Sequence, residues 1–82
     1  MPMYGVRHHI TEEFPELCQT IKTLKHKDQR FARLLTEYDS TDKRIYGLEQ
    51  QGLPVADHYF DQLKRRRIRL KDKIYRQLHN TE

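Results

Sequence analysis

Apolar residues recur at alternating spacings of three and four along the first half of the chain. The series runs Phe14, Leu17, Ile21, Leu24, then Phe31, Leu35, Tyr38 and Ile45, with Leu34 and Leu48 widening the stripe. That period belongs to a helix that buries one face. Thr11-Glu12-Glu13-Phe14-Pro15 reads as a helix start, because proline needs no partner for its missing N–H there and carboxylates favour the positive end of the dipole. Lys25-His26-Lys27 has no apolar anchor, and the Asp28 that follows suits the N-cap of a fresh helix. The pattern predicts a short helix over 14–26 and a long one over 28–51. Residues 1–10 show no period and read as a flexible arm, ahead of a single helical domain over 11–82.

Gln51-Gly52-Leu53-Pro54 ends the long helix: Gly52 supplies the left-handed residue past its end, and Pro54 blocks continuation. Asp57 caps the next helix, predicted over 57–79, whose stripe is Phe60, Leu63, Leu70, Ile74 and Leu78 with Arg67 inside it. The two long helices match in length, about 35 Å each, and a short connection makes them antiparallel. The expected fold is all-α: an antiparallel, coiled-coil-like two-helix hairpin with a short additional N-terminal helix. If residue 51 pairs with residue 58, Leu35 faces Ile74, Phe31 faces Leu78 and Ile45 lies near Leu63. Asp42 then faces Arg67. The two polar breaks in the seam fall opposite one another, which predicts an ion pair that sets the hairpin register.

Two apolar features remain without a partner in this hairpin. Phe14, Leu17, Ile21 and Leu24 overhang its end, and Ile68 and Tyr75 lie away from the seam. Uncovered apolar patches mark interfaces, so self-association through these six residues is expected.

Composition narrows the class. At 82 residues, 35% hydrophobic and 34% charged with no tryptophan, the chain suits one domain of solvated helices better than a layered sheet. The net charge of +4 is uneven: residues 1–56 are balanced, and the excess lies in 57–82. Lys64, Arg65, Arg66, Arg69, Lys73 and Arg76 form a face for an acidic partner. The plainer reading is that long basic side chains solvate the helix. Nonspecific nucleic-acid binding by the same helix is the alternative, and it rests on charge alone. Salt-steep binding would identify it.

Candidate chemistry is sparse. His8, His9, His26, His58 and His79 do not pair at metal-ligating spacing. Gly5, Gly47 and Gly52 build no phosphate loop, and Cys18 sits beside the stripe as packing rather than nucleophile. No catalytic residue, cofactor, metal or small-molecule substrate is expected. The lone cysteine suits a reducing compartment, and the absence of a signal peptide or an apolar membrane span makes the expected location cytoplasmic.

Certain stretches resemble a known family. Phe14-Pro15-Glu16, Leu24-Lys25 with Asp28 and Phe31, Tyr38-Asp39, Ile45 with Glu49, and Leu63 through Tyr75 are similar to the YdcH-like family of short bacterial proteins, a domain of unknown function. Leu70-Lys71-Asp72-Lys73-Ile74 is the most specific part. Ala56 stands where relatives more often have a capping serine, and Ile68 where they have leucine. The resemblance implies a cytosolic helical hairpin, sometimes with a separate N-terminal helix, and a bacterial source. It brings no activity, cofactor or site residue.

Overall fold

The computed structural model of the chain describes residues 6–51 and 57–81. Its elements are α1 (Ile10–Glu13), a 3-10 turn (Pro15–Leu17), α2 (Cys18–Lys27), α3 (Gln29–Gln51) and α4 (Asp57–Thr81). Among the described residues there is no strand. Helices α3 and α4 pack along their length as the hairpin, and α2 packs on α3. The molecule measures 42 × 25 × 17 Å. The turn at Gly52 and Pro54 lies outside the described residues, as does the side chain of the expected cap Asp57.

Asp28 separates α2 from α3. Its backbone is extended at φ −126° and ψ 110°, and its Oδ1 accepts hydrogen bonds from the N–H groups of Arg30 at 2.9 Å and Phe31 at 3.3 Å. A helix start leaves its first N–H groups without partners, and this carboxylate satisfies two of them. Lys25 and Lys27 lie in the last turn of α2, where cations complement the dipole.

The start of the chain departs from the single helix expected over 14–26. Helical structure begins earlier, at Ile10, and breaks at Phe14, whose φ is −130° and ψ 66°. Proline crowds the residue before it out of the helical region, so Pro15 interrupts the path and opens the 3-10 turn. Glu12 and Glu13 therefore serve the first turn of α1.

A larger difference concerns the apolar overhang. Phe14 is buried at 9% exposure and Ile21 at 3%, within a core completed by Phe31, Tyr38, Leu70, Ile74 and Leu78. Leu17 and Leu24 are partly buried against the same core. Rather than projecting beyond the hairpin, the N-terminal elements fold back onto it. The extended backbone at Asp28 allows the reversal. Covering these side chains within one chain avoids the loss of translational and rotational freedom that a second copy would require.

Residues 7–9 bond to the helices. The Tyr38 hydroxyl donates to the carbonyl of His8 at 2.7 Å, and the N–H groups of Glu12 and Glu13 both bond the carbonyl of His9. Residues 1–5 lie outside the described residues.

Candidate interaction surface

The polar break in the α3 stripe becomes a buried ionic node. Asp42 is 1% exposed. Arg67 Nη1 donates to its Oδ1 at 2.8 Å. Arg7 Nε donates to Oδ2 at 2.8 Å, and the backbone N–H of His8 reaches the same oxygen at 3.0 Å. Arg7 extends further, its Nη2 lying 2.6 Å from Asp39 Oδ1. Among the described residues no buried side-chain nitrogen or oxygen is left without a hydrogen bond, which is the condition for a buried charge to be tolerated.

Burial pushes the Asp42 carboxyl up, but the hydrogen bonds from Arg7, His8 N–H and Arg67 outweigh it and hold the group below the usual carboxylate value. The bond to Asp42 in turn raises Arg7. Tyr38, on the same face, is pushed up to about 12 by burial, helped by the negative charge of Glu13 and Asp42. The node is therefore ionised at neutral pH, with its phenol neighbour protonated.

The fold also divides the basic run of α4. Arg67 turns inward to Asp42. Lys64 lies over the Phe60 ring at 4.4 Å. Lys71 is 3.5 Å from Glu13 and 5.8 Å from the Phe14 ring centre, so it helps hold α1. Arg66 reaches Glu37 at 3.9 Å, with both side chains exposed. The remaining four, Arg65, Arg69, Lys73 and Arg76, are exposed and make no ion pair with a described carboxylate. Of the six cations expected on this face, four thus make no ion pair with a described carboxylate, and Arg66 lies at their edge.

Ile68 is 60% exposed and Tyr75 45%. Tyr75 is not isolated: its ring sits 5.4 Å from Phe14 and 4.2 Å from His79. Of the six residues expected to mediate self-association, four are thus drawn into the fold, and only Ile68 and Tyr75 remain at the surface. Cys18 is partly buried as a free thiol. Among the described residues no three His, Cys, Asp or Glu side chains converge as metal ligands, and no helix is long and apolar enough to cross a membrane.

The N-terminal half of the node is absent from the sequence reading. Arg7 lies outside any periodic stretch, so no spacing marks it as the partner of a residue 35 positions on. The only hint was the aspartate itself, whose carboxylate has capacity for more than one arginine.

No curated protein and no solved structure matches the chain. A family model described as a protein of unknown function, DUF465, matches residues 31–78. That span covers more than half of the chain and takes in nearly all of the α3–α4 hairpin, whereas α1 and α2 precede it. The chain, with its hairpin core, belongs to the YdcH-like DUF465 family of proteins of unknown function.

Proposed function

We propose that this protein is a non-catalytic interaction module that offers the outer face of α4 to an acidic protein partner. The observation that carries the reading is the division of the basic run. Arg65, Arg69, Lys73 and Arg76 are exposed and make no ion pair with a described carboxylate, while neighbouring cations are used within the fold. Unpaired cations attract an acidic surface and speed its encounter. Exposed Ile68 and Tyr75 flank the same helix, and arginine and tyrosine beside an apolar side chain form the usual composition of a protein interface.

Charge reversal tests this reading. The intact protein and an R65E/R69E variant are used to capture proteins from a nuclease-treated lysate of the source cell. An acidic protein retained by the first and lost from the second supports it. Capture that survives the reversal overturns it.

Nucleic-acid binding by the same cations is the second reading, favoured by the line of free charge on one helix. It predicts a gel shift with an oligonucleotide at low salt that disappears at moderate salt. Of the residues expected to mediate self-association, Ile68 and Tyr75 remain exposed, and native mass at several concentrations tests it.

A further inference from the structure

At the open end of the hairpin, the start of α3 and the end of α4 enclose a cleft of about 510 Å³, lined by Arg30, Lys73, Arg76, Leu34 and Asn80 among others. We propose that this cleft is a binding site for a phosphate dianion, either free or as the terminal group of a small ester. It shares Lys73 and Arg76 with the basic face, but it does not depend on that face meeting a protein.

Three cations from two helices surround one concavity. None of them forms an ion pair with a described carboxylate. One carboxylate does line the cleft, that of Asp28. Its Oδ1 is occupied by the N–H groups of Arg30 and Phe31, and even with its full charge counted the lining retains an excess of two positive charges. The helix dipoles do not change the sign, because the positive end of α3 and the negative end of α4 meet here and oppose each other. Side-chain charge therefore sets the potential.

The lining's excess of two positive charges favours a phosphate dianion over a singly charged carboxylate. Two guanidinium groups offer paired donors matched to phosphate oxygens, and an ammonium adds a point charge. Asn80 supplies a neutral amide donor. Leu34, partly buried, gives the cleft an apolar side against which the body of a small ester can rest. The volume falls within the range of small-ligand sites and exceeds what a bare anion fills.

Arg30 is the discriminating residue. It stands on α3, outside the basic run, and lines the cleft. Arg65 serves as the control, since it is exposed on α4 outside the cleft lining and its substitution changes net charge equally. Binding of inorganic phosphate and of phenyl phosphate is followed by amide chemical shifts at constant ionic strength, on the intact protein, R30Q and R65Q.

The expected result is saturable shifts centred on Arg30, Lys73 and Arg76, with R30Q weakening binding about tenfold and R65Q by less than about twofold. Tighter binding of phenyl phosphate than of inorganic phosphate assigns the site to an ester, and equal binding assigns it to the free ion. Equal weakening by R30Q and R65Q, or shifts spread along Arg65 and Arg69, would show attraction to net charge only and overturn the site. Native-like dispersion of the R30Q spectrum separates a lost ligand contact from a lost fold. Charge reversal at Arg65 and Arg69 tests the protein partner without touching Arg30, so the two proposals fail separately.

Discussion

Arg7 Nε lies 2.8 Å from Asp42 Oδ2 and so ties the chain ahead of α1 to the middle of α3. The same carboxylate holds Arg67 of α4 through its other oxygen. One buried charge thus joins three parts of the molecule. Replacing Arg7 with glutamine should release the N-terminal segment while leaving the hairpin register in place. The expected loss is about 1–3 kcal/mol, with faster amide exchange confined to α1. Uniformly faster exchange across α3 and α4 would contradict this division.

Asp42 itself matters more. Asp42→Leu removes the shared acceptor and strands two arginines, a change worth roughly 3–5 kcal/mol for a buried pair that loses one partner. For a chain of this size, each kcal/mol lowers the melting temperature by about 4–8 °C. A D42L variant that melts no lower than the parent would show that the node does not stabilise the fold.

Acid should loosen the molecule through this group. The folded carboxyl titrates below its ordinary value, so as pH falls the unfolded chain takes up that proton first and stability declines. The contribution is complete above the unfolded carboxyl range and disappears once pH has dropped through the folded value. Denaturant melts between neutral pH and about pH 3 should therefore slope more steeply in the parent than in Asp42→Asn.

Alkali acts through Tyr38, with the opposite sense. Its folded value of about 12 exceeds the ordinary 10.0, so the unfolded state loses its proton first and stability falls as pH rises through that interval. The full interval corresponds to roughly 2–3 kcal/mol. Tyr38→Phe should remove this step while forfeiting about 1 kcal/mol at neutral pH for the bond to His8. The difference between parent and Y38F at high pH isolates Tyr38 from the other tyrosines and lysines.

The apolar residues separate by where the fold puts them. Ile21→Ala should destabilise by roughly 2–5 kcal/mol, since Ile21 is 3% exposed, whereas Ile68→Ala at 60% exposure should stay within about 0.5 kcal/mol. Equal effects of the two in a urea titration would mean that α2 does not pack on the hairpin.

Much of this architecture was readable from local pattern. The stripe through Phe31, Tyr38 and Ile45, and its counterpart Leu63, Leu70, Ile74 and Leu78, specify two amphipathic helices, because helical period and burial of one face are properties of neighbouring residues. Asp28 announced its cap for the same reason: the N–H groups it serves are two and three residues away. Even the opposition of Asp42 and Arg67 follows from matched helix lengths and a short turn. What the pattern left open was where the N-terminal elements go. Phe14 and Ile21 bear the same stripe whether they cover a second copy or their own hairpin, and only the reversal at Asp28 decides for the hairpin. Arg7 carries no periodic signal at all. Its role arises from a three-dimensional meeting with a carboxylate 35 residues away. Likewise, a row of cations in sequence does not say which are consumed by Asp42, Glu13 or Phe60 and which stay free. That allocation depends on distances across helices, which local sequence does not encode.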